Sequence, residues 1–421
     1  MKASKYNLYF KKGNECYVFN QITSSLLNID DNLFIELNNG RVEINNLDAD
    51  EIFNLKSAGV ITEILNEENY ILYSNRMARY NSKTARFTII PTLECNFNCW
   101  YCYENHVLGK MNNDTLEAIY NAICKIIKHS QVNTIVIDWF GGEPLICFND
   151  IIYPFSKKIK LLCAETGNNF INQITTNGYL IDEDIISKFI EIDLKNFQIT
   201  LDGDENNHNK SRFSNSDKST YTKIVSNIEK ICEQIDAVNM TVRINYLPDS
   251  SFIEIVKSFK TSVRNKIQIQ PQIIWQYKNN INENDKFIQE QLELFANEGY
   301  SIKNAFMPNF LSVSCYTDNM LQFAINWDGQ LFKCTARDFS TSKTSIGKIE
   351  SNGNMIFNSY YYDHFQSSAF ENKKCLKCNI LPSCMGGCLQ KKIENQQFSC
   401  PKESLHHSIL NQLNLIVENS E

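Results

Sequence analysis

The sequence predicts an α/β protein built on a partial parallel barrel of six βα units, with a small unit before it and a cysteine-rich segment after it. Three observations carry this. Strand candidates at 87–93, 134–140, 170–176, 197–202, 239–246 and 267–274 each precede a helical or polar segment, the alternation that lays parallel strands side by side. Six such units stop short of the eight that close a barrel. Before residue 83 the pattern is a hairpin followed by short helices, and from residue 315 onward the composition shifts to cysteine, glycine and aromatics. The expected divisions are therefore 1–82, 83–305 and 306–421.

A chain of 421 residues can bury a sizeable core in two or three domains. Its 43% hydrophobic and 21% charged residues fit a soluble globular protein. A net charge of −7 without a basic stripe argues against a general nucleic-acid partner, because counterion release needs a basic surface. The opening MKASKYNLYFKK lacks the apolar core of a signal peptide, and no stretch approaches a membrane span. A cytoplasmic location and no membrane partner are expected. The 15 cysteines are then not expected to form disulfides, since cytosolic thiols are kept reduced. Cys16, Cys124, Cys147, Cys163 and Cys232 are isolated and read as small core hydrophobes.

In the first unit, strand candidates 6–10 and 16–19 flank the turn-rich KKGNE and form a hairpin. Helical patterns follow at 31–37 and 47–57, the second with Asp48 and Asp50 in its first turn and Gly59 as a stop. A strand pair, 60–65 and 70–73, would close a small winged-helix arrangement. Within the barrel, one helix carries Asp114 and Glu117 as an expected capping box, with Leu116, Ile119, Ile123, Ile126 and Ile127 on one face.

After the first barrel strand and Pro91 comes Cys95-Asn-Phe-Asn-Cys99-Trp-Tyr-Cys102. Three cysteines spaced C-x3-C-x2-C make a tight thiolate loop at the mouth of a strand, where α/β proteins place chemistry. The local ligand count stops at three, which suits a cluster of irons better than a tetrahedral zinc. The residues alone leave open a metal knuckle or a set of core thiols. The motif resembles that of radical S-adenosylmethionine enzymes, whose core is an open barrel. The resemblance implies a [4Fe–4S] cluster held by Cys95, Cys99 and Cys102, whose open iron chelates S-adenosylmethionine. One electron then splits the sulfonium to give a 5′-deoxyadenosyl radical, which takes hydrogen from unactivated C–H bonds.

The second strand ends in Phe140-Gly141-Gly142-Glu143-Pro144, which starts 38 residues after Cys102. Two glycines allow close backbone approach and a proline stiffens the turn. The resemblance implies that Gly141, Gly142, Glu143 and Pro144 bind the methionyl amino group of the cofactor. The third strand ends in Thr175-Thr176-Asn177-Gly178, a strand-terminating turn whose Thr176 joins the expected cofactor-binding set. By the same resemblance Thr200 and Arg212 contact the nucleoside and carboxylate ends of the cofactor, and Tyr101 lies against its adenine. A guanidinium fork suits a carboxylate.

From Cys315 the chain runs Cys315-x13-Gly329-x4-Cys334, then Cys375-x2-Cys378-x5-Cys384-x3-Cys388 and Cys400. This resembles the SPASM extension, which implies two auxiliary [4Fe–4S] clusters and so three in all. Cys375, Cys378, Cys384 and Cys400 would hold the distal one, and Cys315, Cys334 and Cys388 the proximal one. A fourth proximal cysteine, which sulfatase-maturing relatives carry shortly after the first, has no counterpart; Leu321 is in its region, and the cluster is expected to have an open iron. C-x2-C-x5-C alone would also fit a zinc ribbon.

Radical enzymes with this extension mostly modify peptides. The expected function is a maturase that abstracts hydrogen from a ribosomally made precursor peptide and forms a thioether or carbon–carbon cross-link. The auxiliary clusters would take up the surplus electron, and a ferredoxin or flavodoxin would supply the initiating one. Residues 1–82 resemble a precursor-recognition unit, in which a leader peptide adds a strand to the hairpin edge. The alternative is a sulfatase-type maturase making formylglycine from Cys or Ser. Such relatives carry an acid directly after the cysteine matching Cys334; this chain has Thr335 there and Asp338 further on. A non-catalytic Fe–S carrier would need neither the first cysteine motif nor the glycine turn.

Overall fold

The computed structural model describes residues 1–40, 42, 47–64, 66–214, 216–247, 252–274, 276, 281–301, 312–395 and 400–418. The last position of the predicted strand 60–65 lies outside them. The chain forms two compact units: Met1–Ser82 with Phe306–Met320 and Asp363–Glu421, and Lys83–Ala305 with Leu321–Tyr362.

The first unit contains β1 (Lys2–Ala3), β2 (Asn7–Lys12), β3 (Glu15–Asn20), β4 (Ser25–Ile29) and β5 (Ile61–Thr62). The predicted hairpin is β2 and β3, with Asn7 opposite Asn20 and Lys12 opposite Glu15. Strand β4, not foreseen in the sequence, pairs with the other side of β3. Helices follow at Asp31–Asn38 and Ala49–Ser57; Asp48 is the N-cap of the second and forms a capping box with Glu51, so it precedes the first turn. The predicted closing strand pair is not formed. Strand β5 pairs with β1, and residues 70–73 lie inside the helix Glu67–Tyr80, capped by Asn66. Tyr-Ile-Leu-Tyr favours a strand locally, but Glu67, Ile71, Asn75 and Arg79 recur every fourth residue and form the buried stripe of a helix. Leu8, Phe10, Tyr17 and Phe19 share one core with Ile380, Ile409, Leu413 and Val417, so the first strands and the last helix bury each other's apolar faces.

The second unit is a largely parallel sheet. Strands β6 (Thr84–Ile89), β7 (Thr134–Trp139), β8 (Asn169–Thr176), β9 (Leu194–Asp202), β10 (Asn239–Tyr246) and β11 (Ile267–Ile273) are the six predicted ones, side by side in chain order. On the other side of β6, β12 (Gln322–Ile325) adds in parallel, followed by the antiparallel strands β13 (Gln330–Phe332), β14 (Gly347–Ile349) and β15 (Met355–Phe357). Strand β6 ends at Ile89 and not at residue 93, since Pro91 has no N–H to extend the ladder. The helix Asn113–His129 is capped by Asn112, whose side chain accepts from Thr115 N; the expected box of Asp114 and Glu117 is not formed, because the N-cap lies two residues earlier.

One face of the sheet is apolar and covered by helices. Trp139 packs edge-on against Phe155, and Phe197 against Phe189. On the other face Arg86, Asp138, Gln173, Gln198 and Arg243 are polar and only partly buried. A closed barrel would fill that side with packed branched residues.

Candidate active site

The two glycines after β7 have a steric reason. A Cβ on Gly141, at φ +123°, would lie 2.5 Å from Thr92 O, and one on Gly142 would lie 2.4 Å from both Leu93 O and Glu94 O. The turn therefore lies flat on the backbone that leads into Cys95. Gly142 N donates to Thr92 O (3.3 Å) and Glu143 N to Glu94 O (2.8 Å). The fully buried Glu143 carboxylate accepts from Thr176 Oγ1 (2.7 Å), Leu145 N (3.0 Å) and Asn177 N (2.8 Å). Burial pushes its carboxyl up, while these hydrogen bonds and Arg212 oppose the shift. Pro144 opens the short turn Pro144–Cys147. Asn177 Nδ2 donates to Asn96 Oδ1 (2.7 Å), so the turn after β8 reaches the cysteine loop. Glu143 and Thr176 thus brace three strand ends against one another.

In the cysteine loop, Phe97 N donates to Cys95 Sγ (3.4 Å), Cys102 N to Cys99 O (3.1 Å) and Asn98 N to Phe213 O (2.9 Å). Burial pushes the Cys95 thiol up to about 12, with Glu143 and Cys99 adding to the rise and the Phe97 N–H and Arg212 opposing it. Cys99 and Cys102 are raised by the same cause. Thiols in such surroundings stay protonated until a metal displaces the protons. Among the described residues no three His, Cys, Asp or Glu side chains converge on one ion position. A cuboidal cluster does not ask for that, since each thiolate binds its own iron.

Tyr101 turns its hydroxyl into a polar cluster that the sequence reading did not foresee. It donates to the Asp202 carboxylate (2.6 and 2.7 Å) and accepts from Arg212 NH1 (2.9 Å) and Asn245 Nδ2 (3.1 Å). Ser211 Oγ also donates to Asp202 (2.6 Å). Asp202 and Asn245 were findable in principle: Asp202 lies two residues past Thr200 on the same strand face, and Asn245 is its register partner on β10. Thr200 itself is buried, opposite Arg243. Arg212 is 9% exposed, and its Nε, like Asn96 Nδ2, is buried without a hydrogen-bond partner. Orphaned donors near the thiol loop and a glycine cradle fit a cofactor that presents an amino-acid carboxylate. Arg212→Ala is expected to weaken S-adenosylmethionine binding by roughly 10- to 100-fold, the equivalent of a charged hydrogen bond worth about 1.5–3 kcal/mol. Iron content should not change; equilibrium binding to the reconstituted variant checks both.

Glu104 is a second residue that sequence reasoning missed. It is buried with Oε1 unpartnered, and burial pushes its carboxyl up to about 8, with His106 opposing and Asp338 adding. No pattern in the sequence marks it.

In the C-terminal part of the first unit, Cys378, Cys384 and Cys400 lie near enough to Cys375 to disfavour its thiolate beyond the effect of burial, and Cys378 and Cys400 do the same to Cys384. Cys378 N donates to Cys375 O (2.9 Å) and Gly387 N to Cys384 O (3.1 Å), closing tight turns around them. Cys315 senses Cys388 in the same unit. Cys334 belongs to the second unit, after β13, with its neighbour Thr335 accepting from Tyr103 Oη (3.0 Å). Asp338 accepts from Asn105 Nδ2 (2.6 Å), Asn105 N (3.4 Å) and Ser340 N (3.0 Å). Burial would raise its carboxyl, but these donors hold it below the usual range. Of the isolated cysteines, Cys16, Cys147, Cys163 and Cys232 are buried and Cys124 is partly so.

A parallel α/β sheet that brings a three-thiol loop, a glycine turn and a buried arginine to neighbouring strand ends is the arrangement of a radical enzyme using S-adenosylmethionine, and residues 89–260 match the family model of the Radical SAM superfamily. Those residues carry a radical SAM domain, which implies a [4Fe–4S] cluster and S-adenosylmethionine, and the chain is an enzyme. It is 26% identical to the cysteine-type anaerobic sulfatase-maturating enzyme of Clostridium novyi (strain NT), over 72% of this chain and 86% of that one. Its fold is similar to that of anSMEcpe with bound AdoMet and Kp18Cys peptide, with a TM-score of 0.59 and 16% identity over 80% of this chain and 98% of that one. It is also similar to Streptococcus suis SuiB bound to precursor peptide SuiA, with a TM-score of 0.51 and 16% identity over 96% and 99%. Among the described residues no helix is long and apolar enough to cross a membrane.

Proposed function

We propose that this enzyme is a maturase that abstracts hydrogen from a ribosomally made precursor peptide and closes a thioether or carbon–carbon cross-link within it. The observation that carries the reading is the gathering of Cys375, Cys378, Cys384 and Cys400 in the same compact unit as the β2–β3–β4 sheet. A second thiol site suits a SPASM domain over 306–421, and the sheet suits leader recognition by residues 1–82. In this reading Cys95, Cys99 and Cys102 hold the first [4Fe–4S] cluster, the four gathered cysteines a second, and Cys315, Cys334 and Cys388 a third. When bound, the first cluster and S-adenosylmethionine supply the hydrogen-abstracting chemistry. The protein's own part is to seat the cofactor: Gly141, Gly142 and Pro144 shape the cradle that Glu143 and Thr176 brace, Arg212 takes the carboxylate, and Thr200 and Tyr101 flank the nucleoside.

Strand β3 is paired on both sides, so a leader that adds a strand must use the outer edge of β2 or β4, which no other strand occupies among the described residues. The bound peptides of SuiB and anSMEcpe support a peptide substrate. The cytoplasm, with ferredoxin or flavodoxin as electron donor, is the setting this chemistry needs. Likeness to the Clostridium novyi enzyme supports formylglycine formation as the second reading. Thr335 and the fully engaged Asp338 weigh against it, since a carboxylate held by three donors is a weak base.

Anaerobic co-expression with precursor peptides encoded beside the gene tests the reading by mass. Loss of two hydrogens supports a cross-link, and an aldehyde at Cys or Ser supports the second reading. Iron analysis should give three clusters, and Cys375→Ala with Cys378→Ala should remove one while leaving S-adenosylmethionine cleavage intact. A double variant with the full iron count would refute the distal assignment.

A further inference from the structure

Charges on the polar face of the sheet are arranged unevenly. Arg86 pairs with Asp138 at 3.7 Å, and Thr88 Oγ1 also donates to that carboxylate (3.2 Å). Arg212 shares the Tyr101 hydroxyl with Asp202. Arg243, on the same face of β10 as Asn245, is different. Its Nε donates to the neutral Asn245 Oδ1 (3.0 Å), and among the described residues its guanidinium forms no ion pair. Its register partners are Thr200 on β9 and Gln270 on β11, both uncharged. Burial lowers its basicity and the like charge of Arg212 adds to this, against the opposing influence of Tyr103, Tyr101 and Asp202. A cation held partly out of water with no carboxylate in direct contact is costly, and a carboxylate ligand lowers that cost. Through Asn245 the side chain is linked to the Tyr101 hydroxyl, so a group bound to Arg243 lies next to the strand ends that carry the cysteine loop.

We propose that Arg243 is a specificity residue of the substrate site, taking the carboxylate of an Asp or Glu side chain of the peptide that lies on the polar face of the sheet. This rests on the peptide reading above. The other source of a carboxylate is S-adenosylmethionine itself. The polar face also has an outward sign of its purpose: Gln173, Gln198, Gln268 and Gln270 line it with neutral amides that can pair with peptide backbone, leaving Arg243 as the group that selects charge.

The test uses full-length, iron-reconstituted enzyme saturated with S-adenosylmethionine, immobilised without oxygen and offered an equimolar hexapeptide library in matched pairs, Asp and Glu against Asn and Gln. The retained peptides are quantified by mass spectrometry. Wild-type enzyme should enrich the acidic member of a pair roughly 10-fold or more, the effect of one charge-assisted hydrogen bond. Arg243→Gln should bring the ratio to about one, Arg243→Lys should keep part of it, and none of these variants should alter S-adenosylmethionine affinity. An equal ratio in the wild type, or an undiminished one in Arg243→Gln, overturns the proposal. So does a loss of cofactor affinity in Arg243→Gln, which would assign the guanidinium to the cofactor carboxylate. Retention of no peptide by wild-type enzyme overturns the peptide reading together with this proposal, whereas retention without acid preference overturns this proposal alone.

Discussion

Cys95→Ala, Cys99→Ala and Cys102→Ala are each expected to abolish reductive cleavage of S-adenosylmethionine. Each removes one of only three local thiols, and the loop has no fourth donor to substitute: Glu104 is buried and Tyr101 is bound to Asp202, Arg212 and Asn245. The loss should exceed that of any other single change, because a cluster with two ligands is not retained. Anaerobic incubation with dithionite, followed by quantification of deoxyadenosine, is the measurement. Deoxyadenosine formed at the wild-type rate by any of the three would remove that residue from the ligand set. Solubility and the thermal transition of the metal-free protein should be little changed, since Cys99 and Cys102 contribute no core packing.

Gly142→Ala is expected to have the second-largest effect, and by a different route. The new methyl would stand 2.4 Å from two backbone oxygens and 2.6 Å from Leu93 C, and backbone cannot yield as a flexible side chain can. Relief requires moving the turn after β7 away from residues 93–94, which breaks the Glu143 N to Glu94 O bond and loosens the approach to Cys95. Overpacking of this kind costs about 1–3 kcal/mol. The metal-free variant should therefore melt earlier, and its iron content after reconstitution should fall. Gly13→Ala is the control: its Cβ meets nothing within 4 Å, so only the left-handed backbone opposes it and iron content should stay the same. Equal iron in Gly142→Ala and wild-type protein would show that the turn does not position the cluster loop.

The six barrel strands were legible because each is a short apolar run followed by a polar or helical segment, and parallel strands under helices keep that pattern through folding. Strand β4 was not, because the adjacent Leu26 and Leu27 break the alternation of a half-buried strand and its partners lie in β3. Helix Glu67–Tyr80 was misjudged over 70–73 for the opposite reason: local β-preference outweighed a four-residue stripe that shows only over the full 14 residues. The cysteine motifs were plain, since ligand spacing is local and needs no fold to be seen. Glu104 was hidden, because a carboxylate on a loop carries no mark of what it will face, whereas Asp202 and Asn245 could be found only by pairing Asp202, on the strand face of Thr200, with its neighbour on β10.

By itself the sequence determined the order of strands, the positions of the thiols and the glycine turn, all consequences of short-range spacing and periodicity. Only the tertiary structure decided what lies across from what. It set Gly142 on the carbonyls of residues 93 and 94 and Tyr101 between Asp202 and Arg212. It also left Arg243 without a direct ion pair among the described residues. The physical reason is that these relations join residues distant in the chain, and burial and electrostatics act on distance in space.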